Sequence, residues 1–151
     1  MNYIHSITMD ENSIEQEIIK ILQNDFSENE AIIKSFPEDP QYVDGVLDYN
    51  MSHPICEILV NCDNIDFENE TLGDQEGKVG IETTIFARSV RGDNGVRNIC
   101  KKIRQALTGN VIQGNRVIPE DQRKIFYDGQ VWCYGQHYRL NNIFPFGYEE
   151  E

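Results

Sequence analysis

One stretch limits the fold more than any other. From Lys78 to Val90 the chain reads KVGIETTIFARSV, with Val79, Ile81, Thr83, Ile85 and Ala87 alternating against Gly80, Glu82, Thr84, Phe86 and Arg88. A period of two sends successive side chains to opposite faces, so this run predicts a long β-strand. The earlier stretch HPICEILVNC is apolar on both parities, with Cys56, Ile58 and Val60 on one face and Ile55 and Leu59 on the other. A strand that is apolar on both faces belongs in the middle of a sheet. The two runs predict a central antiparallel pair.

Such a sheet needs a cover, and two segments have the period to supply it. In NSIEQEIIKILQN, Ile14, Ile18, Ile21 and Leu22 fall on one helical face, and Ser13 with Gln16 reads as a capping box. In NGVRNICKKIRQALTG, Val96, Ile99, Cys100, Ile103 and Leu107 form an apolar stripe beside the basic Arg97, Lys101, Lys102 and Arg104, and Gly109 is placed as the stop. AIIKSF reads as a short strand halted by PEDP, after which 37–52 reads as a loop. The run RKIFYDGQVWCYGQHYRL predicts two strands turning at Asp128-Gly129, with Trp132, Tyr134, Tyr138 and Leu140 on one core-facing parity. The expected fold is α+β: a mainly antiparallel sheet of four to five strands with two helices packed on one face.

Length allows one domain with a real core. The expected limits are a flexible N-terminus at 1–12, the domain at 13–146 and an acidic tail at 147–151. Residues 141–151 read as a tail anchored by Ile143, Phe144 and Phe146. Within the domain, residues 63–77 read as an acidic loop, either disordered or the extended tip of a hairpin, carrying Asp63, Asp66, Glu68, Glu70, Asp74 and Glu76.

Charge sorts the function classes. The net charge is −13, and the first 77 residues hold 18 of the 26 acids against only Lys20 and Lys34, so the remainder carries +3. A chain so acidic is a poor general binder of nucleic acid, which needs clustered bases. Its polarity instead suits a partner of opposite sign, another copy included. No apolar run approaches the roughly 20 residues that span a bilayer, and the start lacks a signal-peptide layout, so a cytoplasmic protein without a membrane partner is expected. Cys56, Cys62, Cys100 and Cys133 show no C-x-x-C pairing and read as buried free thiols; His53 beside Cys56 lacks a second ligand pair, so no metal or cofactor is expected.

Catalytic chemistry is not what the residues advertise. There is no nucleophile elbow, P-loop, H-E-x-x-H or dinucleotide glycine pattern; His5, His53 and His137 sit in unrelated contexts, and Glu38-Asp39 and Glu120-Asp121 read as solvated turn acids. Arg91-Gly92-Asp93 matches an adhesion tripeptide, but with no sign of export it reads as a corner. There Gly92 and Gly95 set the turn, and Asp93 or Asn94 caps the following helix.

Taken together, the IEQEIIKIL helix, SFPEDP, the strand running into ARSVRGDNGVRNICKKIRQALTG, and the closing GQVWCYGQHYRL resemble the tail-terminator-like proteins of Mu-type contractile-tailed phages and related prophage tails. The matching positions are Arg88, Arg91, Gly92 and Gly95 at the corner and Ala106, Leu107, Thr108 and Gly109 at the helix end, and the likeness covers roughly residues 13–140. The acidic 63–77 segment and GNVIQGNRVIPEDQ depart from the family pattern. The resemblance implies a non-enzymatic virion protein, assembled in the host cytoplasm, that forms a ring, commonly a hexamer, on the head-proximal end of the tail tube. Its implied partners are itself, the tube protein, the sheath, a neck or head-tail connector, and DNA that passes without specific binding.

Within that frame Arg88, Arg91, Arg97, Lys101, Lys102 and Arg104 are expected at a subunit interface, meeting acids of a neighbour's first half, and the 63–77 acids near the channel. A neck or completion protein, the cap of a phage-like injection device, an acidic DNA mimic and a small hydrolase with an acid pair remain as alternatives.

Overall fold

The structure, a computed structural model, describes residues 11–71 and 74–145, with 67–71, 74–76 and 142–145 described through their backbone alone. In chain order the elements are α1 (Glu11–Asp25), β1 (Ile32–Ser35), β2 (Tyr42–Val43), β3 (Val46–Leu47), β4 (Cys56–Thr71), β5 (Asp74–Ala87), α2 (Val96–Leu107), β6 (Val111–Ile112), β7 (Asn115–Arg116), β8 (Ile118–Tyr127) and β9 (Trp132–Pro145). Five strands form the main sheet in the order β1-β4-β5-β9-β8. β1 runs parallel to β4, and the other neighbours are antiparallel. The α+β class, with two helices on one face, is as the periodicities predict.

The main core lies between the helices and that face. Ile14, Ile18 and Leu22 of α1 and Ile99, Ile103 and Leu107 of α2 meet Ile58 and Val60 of β4, Ile81 and Ile85 of β5, and Tyr138 and Leu140 of β9. Gln136 crosses this core as a polar tie. Its Nε2 donates to the Cys100 carbonyl (2.9 Å) and to Gln122 Oε1 (3.0 Å), while its Oε1 accepts from Thr83 and Tyr138 (3.0 and 2.9 Å). Every buried polar end in this tie is satisfied, so it fixes α2 over β5 and β9 without an orphaned group.

The second face explains why β4 and β5 are apolar on both parities. Parallel strands need a long crossover, and residues 36–55 supply it by running over the helix-free face. Phe36, Leu47, Tyr49 and Met51 cover Leu59, Phe86 and Cys133 there. Residues 37–52, expected as a loop, therefore form a strap that carries the β2–β3 hairpin. Tyr49 stacks on Phe86 with ring centroids 4.7 Å apart.

Several local expectations are corrected. The acidic 63–77 segment takes the second of its two expected forms, the extended tip of a hairpin, instead of a disordered loop: β4 and β5 pair as far as Thr71 opposite Asp74, and β9 flanks β5 to Pro145 opposite Asp74. Ladder bonds come from the backbone, so an acid-rich sequence pairs when a third strand is present. Residues 141–145, expected as tail, are that strand. Glu11 and Asn12, expected as flexible, lie in α1, which puts Ser13 inside the helix instead of at its cap; Ser13 Oγ instead accepts from Gln113 Nε2 at 3.2 Å. Glu120 and Asp121 lie in β8, not a turn. At the β8–β9 turn Asp128 N–H donates to the Val131 carbonyl while Asp128 Oδ1 accepts from the Gln130 and Val131 N–H groups, so the tip is Gly129-Gln130, one residue past the expected Asp128-Gly129. Residues 1–10 and 147–151, expected as a flexible end and an acidic tail, lie outside the described residues. All four cysteines are buried, as expected; burial pushes the Cys100 and Cys133 thiols up to about 12.

Candidate assembly surface

β5 ends at Ala87 and α2 starts at Val96, so eight residues carry the chain from the sheet to the helix layer. Gly92 takes φ +87°, the left-handed region that glycine enters without penalty. Gly95 has ordinary backbone angles but no room: a Cβ there would lie 2.5 Å from the Arg91 carbonyl oxygen. The corner is wound tightly enough for strand-end carbonyls to cap the helix. Val96 N–H donates to Ser89 (2.8 Å) and Arg97 N–H to Val90 (3.4 Å). The expected cap from Asp93 or Asn94 is not made, since Gly95 is the N-cap and no side chain bonds there. Two first-turn donors already have backbone partners, which removes the need for a side-chain acceptor. Asp93 instead accepts from Asn98 Nδ2 through its backbone carbonyl, at 3.0 Å. At the far end Gly109 follows the C-cap with φ +84°, the stop its position predicts.

The six basic residues expected at an interface divide into two groups. Arg88 donates to the Met51 and His53 carbonyls (3.2 and 3.4 Å), stapling the end of β5 to the strap. Lys102 pairs with Glu30 at 3.1 Å and lies 4.5 Å from the Phe26 ring centre, tying α2 to the end of α1. Arg104 bonds Gln122. One meeting of basic helix and acidic first half is thus made inside the chain, at Lys102. The backbone N–H of Ser27, donating at 2.8 Å, and the Lys102 charge hold the Glu30 carboxyl below its usual range. Arg91, Arg97 and Lys101 form the second group: all are exposed, and their charged ends have no hydrogen bond or ion pair among the described residues. They surround a shallow depression that Val90 and Asp93 also line. No acid stands in the first turn of α2, so their charge adds to the positive end of the helix.

Of the acids expected near a channel, Asp63 and Asp66 are exposed on β4, and Asp66 accepts from Asn64 Nδ2 at 3.0 Å. Glu68, Glu70, Asp74 and Glu76 belong to the same hairpin by backbone, and their side chains lie outside the described residues.

Two polar sites were missed from sequence. Glu57 has no accessible surface. Its carboxylate accepts from Tyr49 Oη, from the Ser52 and His53 N–H groups (2.6 and 2.7 Å) and from Ser52 Oγ (3.1 Å), with Lys34 Nζ at 3.6 Å. Burial opposes ionisation, but the bonds from Tyr49, His53 and Ser52 outweigh it and hold this carboxyl below its usual range. The signal was a lone carboxylate in the otherwise apolar HPICEILVNC run. The second site is a charge ladder on the open sheet face. His137 lies between Glu82 (3.3 Å) and Asp121 (2.8 Å), and Glu120 between Lys78 (3.1 Å) and Arg139 (3.5 Å). These residues come from three strands, so only the register unites them.

Neither a protein-family model nor a curated protein matches this chain.

Proposed function

We propose that this protein is a tail terminator of a contractile phage or related prophage tail. It forms a ring, commonly a hexamer in the family it resembles, on the head-proximal end of the tail tube, ends tube and sheath growth, and offers a surface to the neck or head-tail connector. The observation that carries this reading is the block from Arg88 to Gly109. The residues of the family resemblance lie there in one continuous strand end, glycine corner, helix and stop, with Arg91, Arg97 and Lys101 exposed on its surface and without an ion pair among the described residues. A ring requires two different surfaces of each copy to meet. An exposed basic corner on a chain of net charge −13 supplies one of them.

The role is binding without turnover, in a virion tail assembled in the host cytoplasm. The acid-bearing β4–β5 hairpin faces the channel, where its charge keeps passing DNA from adhering. Spare cations at the corner argue against a DNA mimic, whose surface would present carboxylates throughout. Native mass spectrometry with negative-stain imaging tests the reading, with purified tail tubes added. Rings of tube width seated on one tube end are expected; a monomer at high concentration that leaves tubes uncapped removes it. Images of assembled particles separate this reading from a neck protein or an injection-device cap, which would decorate a different particle.

A further inference from the structure

We propose that the β2–β3 hairpin of one copy docks, head to tail, into the basic corner formed by Arg91, Arg97 and Lys101 of a second copy. This deepens the ring reading above and rests on it for the choice of a second copy as occupant. The hairpin turns through Asp44 and Gly45, both at positive φ (+53° and +80°), the tight two-residue turn that suits paired strands. Adjacent strand residues point to opposite faces, yet Tyr42 is 57% and Val43 59% exposed. Both faces of the tip therefore stand in solvent, each with an apolar side chain. An isolated two-stranded hairpin is marginal in water, and this one is steadied at its base: Leu47 packs over Leu59 and Phe86, and Glu57 grips Tyr49 and Ser52 just beyond. A rigidly based, apolar-tipped projection is pre-organised for insertion into a partner.

Charge selects the partner. Asp44 stands at the turn, Asp48 at the base, and Glu38 and Asp39 just before the hairpin in sequence, all exposed and without an ion pair among the described residues. The corner presents the reverse, three exposed cations without an ion pair among the described residues, around a depression that Val90 lines. No hydrogen bond or ion pair joins hairpin and corner within the chain among the described residues. Each copy thus carries one free surface of each kind, the condition for a heterologous contact. Nucleic acid fits the corner less well, since three cations with Asp93 among them neutralise few phosphates.

Two full-length variants test the contact, Tyr42→Ser with Val43→Ser, and Arg91→Glu with Arg97→Glu and Lys101→Glu. Every changed side chain is exposed, and thermal melts check that both variants fold. Each variant alone is expected to self-associate at least about tenfold more weakly than wild type in sedimentation velocity, as loss of a contact centre does. Their equimolar mixture is expected to form dimers and stop there, because one intact hairpin meets one intact corner and neither end can extend. Wild-type rings that persist in the hairpin variant would overturn the contact and leave the terminator reading standing. Contact-dependent assembly into open filaments, without rings, would uphold the contact and remove the terminator reading. A wild type that stays monomeric, or a corner variant that loses only a DNA gel shift, would overturn the second-copy occupant in favour of another partner.

Discussion

Replacing Glu57 should unfasten the strap, and its hydrogen bonds set how much that costs. With Glu57→Ala, the His53 N–H loses its acceptor in a buried place, and Tyr49 Oη and the Ser52 N–H lose theirs in partly buried ones. Each stranded donor costs about 1–3 kcal/mol. Lys34 keeps access to water and is not stranded. Removing the buried charge returns part of its desolvation cost, so a net loss of about 3–5 kcal/mol is expected. A chain of this size loses roughly 2–4 °C of Tm per kcal/mol, which puts the drop near 10 °C. Glu57→Gln keeps one acceptor for the amides and turns its NH2 toward Tyr49, whose hydroxyl rotates to accept; the loss of charge assistance should cost only about 1–2 kcal/mol. Urea unfolding at pH 7 measures both. Mass-spectrometric thiol labelling adds a local readout, since Cys133 belongs to the cluster that the strap covers together with Phe126 and Val131, its thiol is pushed up to about 12 by burial, and lifting the strap should raise its labelling. The Glu57 carboxyl is held low in the folded state, so its contribution is present above the unfolded value of about 4.3 and is lost as pH falls through the folded one. The acid limb of the stability curve should therefore flatten in Glu57→Gln. A cost for Glu57→Ala below about 0.5 kcal/mol, or unchanged Cys133 labelling, would refute the clamp.

Three further outcomes follow from named contacts. Gly95→Ala drives a methyl against the rigid Arg91 backbone, and a loss of about 1–3 kcal/mol is expected in urea unfolding; a neutral result would mean that the corner relaxes freely. His137 shows the opposite pH sign to Glu57. Burial would lower its pKa, but the hydrogen bond to Asp121 and the Asp121 and Glu82 charges raise it. Its stabilisation is full below about 6.5 and disappears as pH rises through the folded value, so the stability gap between wild type and His137→Gln should shrink in melts taken from pH 6 upward. Lys102→Ala breaks an exposed pair and a ring contact and should cost about 1 kcal/mol, whereas Lys101→Glu should leave stability within about 0.5 kcal/mol; equal losses would contradict the division of the basic helix into internal and free cations.

Legibility in the sequence follows from which physical partner decides each element. The alternation from Val79 to Ala87 and the stripe of Ile99, Ile103 and Leu107 report burial against a core, and burial is written in side chains, so strand, helix and shared face could be read directly. The pairing of Thr71 with Asp74 could not. Its partners are backbone groups, and the β9 extension that completes the ladder lies far along the chain in residues that themselves look like tail. The helix cap failed for the same reason: Ser89 and Val90 supply backbone carbonyls that no residue type announces. Glu57 and His137 are different again, single charged residues whose partners converge only once the crossover and the strand register exist.

Charge complementarity between the two halves of the chain was visible in composition, but composition has no direction. Lys101 and Lys102 are neighbours in sequence, and one helical step of about 100° gives them separate environments. Lys102 turns toward Phe26 and Glu30 and fastens the two helices together, while Lys101 faces solvent beside Arg97. Part of the opposite charge thus holds the fold together. The remainder, Arg91, Arg97 and Lys101, stays exposed and without an ion pair among the described residues, beside a helix end that is itself positive, so the local potential there favours an acid.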